Sequence, residues 1–295
     1  MNKKIGYSSE VSTSLWINNL MHGLAGITIK VKHTVYCASS PFQKIEVFDT
    51  YHYGQVLCLG GSVVLTERDG DVYHEMIVHP AMLSHTKPRE ICIIGGGDGG
   101  CLKEVLKHSV VEAVTVVDID CMVKDTIEKH FPRLAAGFKD KRVGIVIDDG
   151  YHFLKMTNTL FDVIIVDSYD PGGPVQSLET ADFHQVVAER LMRDGVAIFQ
   201  TDSPIVRPEY LRQTLLLLSP LFEVARPYTC TLSSFPEGIC SFVLAGREKG
   251  SPDRFDAARY DAIADGCIYY NRDVHQGAFL LPQYLKKRAG AARPS

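Results

Sequence analysis

None of the eight cysteines of this 295-residue chain forms a C-x-x-C pair, and no histidine stands near them in a ligand pattern. Disulfide frameworks and metal sites are therefore not expected, and the cysteines read as small buried apolar residues in a reducing compartment. The chain also lacks any run approaching the ~18 apolar residues needed to span a bilayer, and its opening, MNKKIGYSSEVSTSLW, has no apolar segment behind the two lysines. The expectation is a soluble cytoplasmic protein without membrane contact. An excess of one charge is missing too: 31 basic and 35 acidic residues leave a net charge of -4, and basic clusters such as LKKRAGAAR are short and terminal. Nothing in that balance favours a nucleic-acid partner. No internal repeat occurs, and no low-complexity segment beyond the final AGAARPS. What the chain does have is 45% hydrophobic and 22% charged content, enough for a large buried core.

From Ile27 to Glu67 that core-forming content alternates in short β-branched segments, ITIKVKHTVY, QKIEVFDT, GQVLCLGG and SVVLTER, separated by Ser39-Ser40-Pro41, Tyr53-Gly54 and Gly60-Gly61. This is the pattern of a small antiparallel sheet. After Asp71 the period changes. DVYHEMIVHPAMLSH, CLKEVLKH, CMVKDTIEKHF and SLETADFHQVVAERLM read as helices, and EICII, AVTVVDID, VGIVI, FDVIIVD and VAIFQT as near-continuous apolar strands. Strands of that kind alternating with helices predict a parallel, doubly wound α/β sheet covered on both faces. Two domains follow: an antiparallel β domain over residues 1–70 and a doubly wound domain over residues 71–295.

The stretch ICIIGGGDGG, Ile91 to Gly100, lies between a predicted strand and a predicted helix, where ligands bind in such sheets. Gly95, Gly97 and Gly100 fit G-x-G-x-x-G, a pattern that a plain tight turn also satisfies. Two further acids add weight. Asp118 ends the next strand, 23 residues after Gly95, where a carboxylate can accept both ribose hydroxyls of an adenosine. Asp148 and Asp149 follow VGIVI, where Asp149 can meet the adenine amino group, although DDG is also an ordinary turn. A carboxylate at Asp98, inside the glycine loop, would repel a pyrophosphate, so a cationic nucleoside is favoured over NAD or ATP. Adenosine with positive charge points to S-adenosylmethionine or its decarboxylated form.

The fourth strand end reads FDVIIVDSYDPGGP, with Asp167 and Asp170 three residues apart on a loop stiffened by two prolines and two glycines. A primary amine attacking the carbon beside a sulfonium must first lose a proton, and its free pKa resembles that of lysine, about 10.4. One carboxylate can take that proton while the other holds the second charge of a diamine. Helix capping near Ser177 is the alternative reading of both acids.

These residues carry a resemblance to the spermidine synthases, the polyamine aminopropyltransferases, running from Trp16 to Lys287. QKIEVF, LTERD, YHEMIVHP, IGGGDGG, VDSYDPGGP and YYNRDVHQGAFLLP match family segments in order. The resemblance implies an N-terminal β domain before a methyltransferase-type Rossmann-like domain, assembled as a homodimer or homotetramer. It implies no prosthetic group, and decarboxylated S-adenosylmethionine as a co-substrate that gives its aminopropyl group to a diamine, putrescine first, releasing methylthioadenosine and spermidine. Carried over residue by residue, Gln43, Gly95, Gly97, Asp98, Asp118, Asp149 and Gly150 would bind the donor, and Asp118 stands where the family often has glutamate. Asp167 would be the base with Tyr73 beside it. His74, Asp170, Gln200 and Asp202 would serve the acceptor. The departures fall on that side: Gly60 stands for an aspartate, Val64 for a glutamine, Gly70 for a glutamate, Tyr169 for a small Ser or Thr and Phe235 for a tyrosine. Cadaverine or agmatine as acceptor, an amine N-methyltransferase using S-adenosylmethionine, and a non-catalytic interaction subunit remain open alternatives.

Overall fold

The computed structural model describes residues 14–21, 23–168, 176–248 and 254–288. The N-terminal part is a five-stranded antiparallel meander in sequential order: β1 (Leu15–Met21), β2 (Ala25–Ser39), β3 (Lys44–Thr50), β4 (Gln55–Leu59) and β5 (Ser62–Thr66). Strand β1 is missing from the sequence-based expectation, because Asn18 and Asn19 interrupt its apolar alternation. Its partner settles it, through a continuous register from Leu15↔Val31 to Met21↔Ala25. The period-2 pattern of the remaining strands buries both faces. Ile17, Ile29, Val31, Val56 and Cys58 form one small core, while Ile45, Val47, Leu57 and Leu65 pack on Val123, Ile127, Phe131 and Leu134 of the following domain.

The second sheet has seven strands: β6 (Glu90–Gly95), β7 (Ala113–Asp118), β8 (Val143–Ile147), β9 (Phe161–Asp167), β10 (Leu191–Gln200), β11 (Val224–Thr231) and β12 (Ile239–Gly246), in the order β11-β12-β10-β9-β6-β7-β8. Strands β6 to β10 are parallel. The expectation of a parallel sheet needs one correction: β12 runs antiparallel to both β10 and β11. A loop over residues 232–238 joins β11 to β12, so β12 returns antiparallel between β11 and β10, and the last helical crossover is that from β10 to β11. Helices α1 (Gly70–Ser84), α2 (Gly100–Leu106), α3 (Cys121–His130), α4 (Pro132–Ala135), α5 (Gly150–Met156), α6 (Ala181–Glu189) and α7 (Pro208–Leu218) connect the strands, and α8 (Ala257–Asp261), α9 (Arg272–Ala278) and α10 (Gln283–Arg288) close the chain. The segment expected as one helix from Ser177 to Met192 is shorter. Thr180 accepts a hydrogen bond from the Phe183 N–H and starts α6 there, and Leu191 already belongs to β10.

Alternate residues of the parallel strands feed two cores. Ile91, Ile93, Val163, Ile165 and Ile198 face α1 and α2, whereas Cys92, Ile94, Ile164, Val166 and Phe199 face α5 and α6. Burial on both faces accounts for the unbroken apolar runs. The chain steps outward from β6 through β7 to β8, then returns to the other side of β6 as β9. This reversal opens a crevice at the carboxyl ends of β6 and β9, the place where such sheets hold ligands.

Helix α1 supports that crevice from below despite carrying Pro80 in its interior. Proline has no N–H to return to the carbonyl four residues earlier, that of Met76. The Tyr228 hydroxyl donates to this carbonyl at 2.6 Å. At the C-terminal end of the same helix, Arg259 donates to the carbonyls of Met82 and His85, and Arg254 to that of Ser84. Glu75 faces the C-terminal segment and accepts the N–H groups of Ile268, Tyr269 and Tyr270 at 2.7, 2.9 and 2.7 Å.

Tyr228→Phe therefore leaves a buried carbonyl without a donor and should destabilise the protein by about 1–3 kcal/mol in urea unfolding. Pro80→Ala supplies a new N–H to the same carbonyl, so the double variant should regain most of that loss. Strictly additive effects of the two changes would show that the hydroxyl does not replace the missing helix bond.

Candidate functional site

The glycine loop leaves β6 and turns directly into α2. Gly95 has a φ of +80°, and a Cβ there would lie 2.2 Å from the Asp167 carbonyl oxygen of the neighbouring strand. A Cβ at Gly97 would lie 2.5 Å from Asp118 Oδ2. Both positions thus need glycine for close approach. The proximity at Gly97 is used, since its N–H donates to Asp118 Oδ2 at 2.9 Å while the Asp120 N–H donates to Oδ1 at 2.9 Å.

Asp98 points back from the loop toward α1. Its Oδ1 accepts the Gly100 N–H at 2.9 Å, and its Oδ2 meets His74 Nε2 at 3.1 Å. Burial disfavours the charged imidazole, but the Asp98 carboxylate outweighs it and holds the His74 pKa up at about 9. The same attraction overcomes burial in the other direction and holds Asp98 below its ordinary value. The two groups form a buried ion pair at neutral pH. His74, Asp98 and Asp167 offer ligand atoms within 4.8 Å of one another, and the His74 nitrogen on that side is engaged with Asp98.

Asp167 ends β9 at the crevice. Tyr73 donates to its Oδ1 at 2.6 Å and the Cys101 thiol to its Oδ2 at 3.0 Å. Burial and then the nearby charge of Asp98 raise the Asp167 pKa, against the opposing pull of His74 and of these two donors. Burial pushes the Asp118 carboxyl up to about 6 in spite of its two backbone donors. Burial, followed by the Asp167 charge, pushes the Tyr73 hydroxyl well above its ordinary value, so it remains a donor.

One open cleft collects these groups. It is lined by Gln43, Tyr73, the loop Gly95 to Asp98, Asp118, Asp149, Gly150 and Asp167, and on its other side by Leu20, Val63, Val64, Leu232, Phe235 and Pro236. Eleven of the sequence-predicted residues thus share one space. His74 does not line it and stands behind Asp98. Gln200 and Asp202, at the end of β10, do not line it either. The Asp202 carboxylate accepts the Ser203 N–H and lies 3.7 Å from the Arg207 guanidinium. Tyr169 and Asp170 lie outside the described residues. Asp149 also caps α5 through the His152 N–H and accepts the Ser177 hydroxyl at 2.9 Å.

Sequence reasoning missed Asp120 and Cys101. Asp120 caps α3 and holds both Ser40 and Gln43, at 2.6 and 3.2 Å, tying the N-terminal sheet to the rim of the cleft. An aspartate directly before a helical pattern is a capping signal, and it was legible in DIDCMVKD. Cys101 gives no comparable signal.

Two family models match the chain. The spermine/spermidine synthase domain covers residues 70–254, and the spermidine synthase tetramerisation domain covers residues 15–67. Polyamine aminopropyltransferases from Thermoanaerobacter sp. (strain X514) and Bacillus subtilis (strain 168) are 36% and 34% identical to it, each over 92% of this chain and over 97% and 98% of their own lengths. The polyamine aminopropyltransferase of Methanocaldococcus jannaschii is 35% identical over 95% of this chain and 96% of its own. A crystal structure of spermidine synthase in complex with the transition state analogue AdoDATO superposes with a TM-score of 0.90 at 32% identity, covering 97% of this chain and 98% of the other. The spermidine synthase of Thermotoga maritima gives 0.89 at 32% identity with the same coverage.

The His74–Asp98 pair has a measurable signature in stability. Because the folded-state pKa of His74, about 9, lies above its ordinary 6.5, its contribution is complete below pH 6.5 and disappears as pH rises through 9. That shift corresponds to about 3 kcal/mol. The partner acts on the acid side: Asp98 is depressed, so its contribution is present above its unfolded pKa and is lost as pH falls through its folded value. Wild-type unfolding free energy should therefore fall between pH 6.5 and 9.5 relative to His74→Gln, measured by urea titration. Parallel curves for the two proteins over this range would refute the ion pair.

Proposed function

The chain belongs to the spermine/spermidine synthase family, whose enzymes are aminopropyltransferases, and from that premise we propose that it moves the aminopropyl group of decarboxylated S-adenosylmethionine to putrescine. The products are spermidine and methylthioadenosine. The observation that carries this reading is the pairing, in one cleft, of an acid of raised basicity, Asp167, with a glycine loop whose own carboxylate, Asp98, favours a cation. In the reaction the neutral amine attacks the methylene carbon bonded to sulfur. The new C–N bond forms as the C–S bond breaks, the bonding pair returns to sulfur as a neutral thioether, and the proton of the amine passes to Asp167.

The division of labour follows from position. Asp118 receives the ribose hydroxyls, Asp149 and Gly150 meet the adenine, and Gly95, Gly97 and Gln43 shape the donor pocket. Asp98 faces the amine of the aminopropyl group, with His74 as its counter-ion rather than as an acceptor ligand. Tyr73 lies where donor and acceptor meet. Asp170 and Tyr169 belong to the acceptor side by their place after Asp167, and the family resemblance assigns Gln200 and Asp202, buried at the end of β10, to the same side. Residues 1–70 form an N-terminal unit and residues 71–295 the catalytic unit, and the match of residues 15–67 to a tetramerisation domain supports a homodimer or homotetramer.

Val64 and Phe235 make the acceptor wall apolar at two positions where the family resemblance implies a glutamine and a tyrosine. Such a wall gives little to an additional ammonium, yet can bury an extra methylene at about 0.8 kcal/mol. With decarboxylated S-adenosylmethionine and a panel of amines, mass analysis should find spermidine and methylthioadenosine from putrescine. Cadaverine should react with a kcat/KM within about tenfold of the putrescine value. Absence of methylthioadenosine with every amine would overturn the reaction, and rejection of cadaverine by more than about a hundredfold would overturn only the relaxed pocket.

A further inference from the structure

Cys101 is the second residue of α2 and is fully buried, yet its thiol is not packed among apolar atoms alone. It lies 3.0 Å from Asp167 Oδ2, on the side of the carboxylate opposite to Tyr73, whose hydroxyl reaches Oδ1. The two donors come from different helices, α2 and α1, and between them they restrain both torsions of a short side chain at the end of β9. Among the described residues they are the side-chain donors to that carboxylate. The glycine loop completes the cradle, since a Cβ at Gly96 would stand 3.5 Å from the same Oδ2 and 3.9 Å from the Cys101 Cβ.

We infer that Cys101 is a positioning residue for the proton-transfer step, its S–H holding Oδ2 so that the free lone pairs of Asp167 face the amine of the acceptor. The inference rests on reading Asp167 as the base. Each carboxylate oxygen has two acceptor sites, so one inward bond per oxygen leaves one outward site on each. A thiol suits this place because it is a weaker donor than a hydroxyl: it fixes the orientation while drawing less basicity from the carboxylate than a hydroxyl would. Burial, and then the charges of Asp167 and Asp98, push the Cys101 thiol well above its ordinary range. It therefore stays protonated and donating at every working pH. Among the described residues, the charged and titratable groups facing Asp167 are Tyr73 and His74 from α1, Asp98 from the loop, Cys101 from α2 and the buried thiol of Cys240 from β12. His74 opposes the effect of Asp98, and Cys240 is held neutral by burial.

The test separates the hydrogen bond from packing. Cys101→Val fills the space without a donor, Cys101→Ala empties it, and Cys101→Ser replaces S–H by a stronger O–H donor. Saturating kcat with putrescine should fall about tenfold in the valine and alanine variants, and the acid limb of its pH profile should move to higher pH by about half to one unit, because a bond to the charged form is lost. The serine variant should keep turnover and move the limb to lower pH. Donor affinity measured by calorimetry should stay unchanged in all three, which also reports an intact fold. Asp167→Asn, run in parallel, should lose about 10²- to 10⁴-fold in turnover. Normal turnover in Asp167→Asn would overturn the base and this inference together. A valine variant with wild-type kcat and acid limb, beside an impaired Asp167→Asn, would overturn the role of Cys101 alone.

Discussion

Burying carboxylates at the ends of parallel strands is the constraint around which this molecule is built. Asp118 and Asp167 end β7 and β9, and Asp98 follows β6, all opening on one crevice. Taking a carboxylate out of water without a partner is costly, and the cost appears here as raised pKa values at Asp118 and Asp167. One internal cation, His74, answers one of these charges by pairing with Asp98. The rest of the deficit favours positive charge in the crevice.

Everything around the crevice serves to hold those acids at fixed separations. The reversal of strand order between β6 and β9 opens the space, and the glycine loop lets backbone N–H groups reach Asp98 and Asp118. Helix α1 places Tyr73 and His74 on consecutive positions, so that one side chain meets Asp167 and the next meets Asp98. The N-terminal sheet contributes in two ways. Gln43 is fastened to Asp120 across the domain boundary, and Asp69, bonded to Thr66, to the Ser233 hydroxyl and to the Ser234 N–H, anchors the loop that carries Phe235. The wall of the cleft that carries Phe235 is therefore set by residues far apart in sequence.

Distance in sequence also decides what could be read in advance. The strands β6 to β9 were legible because burial on both faces leaves unbroken apolar runs, and the acids were legible because each follows such a run directly. Asp98 stood out by its place among glycines. Strand β1 was not legible, since its pairing with β2 overrides a weak local pattern. The antiparallel β11–β12 hairpin was hidden for a related reason: Arg226 and Pro227 break the first strand's apolar run, and only the register with β12 defines it. The donation from Tyr228 to Met76, the ion pair behind the glycine loop and the Cys101 thiol against Asp167 each join residues that no periodicity connects. A sequence shows which side chains carry chemistry more readily than it shows what holds them still.

The central claim, that the carboxylates of the crevice select a cationic nucleoside, is tested most directly by calorimetry of two ligands that differ in one group. S-adenosylmethionine carries a carboxylate that its decarboxylated form lacks. Two unit charges about 4 Å apart at an effective dielectric near 20 interact by roughly 4 kcal/mol, an upper limit that His74 lowers by neutralising part of the Asp98 charge. The account predicts that the decarboxylated nucleoside binds about ten- to a thousandfold more tightly, and that Asp98→Asn removes most of the difference. Equal affinity of the wild-type protein for the two nucleosides would contradict it.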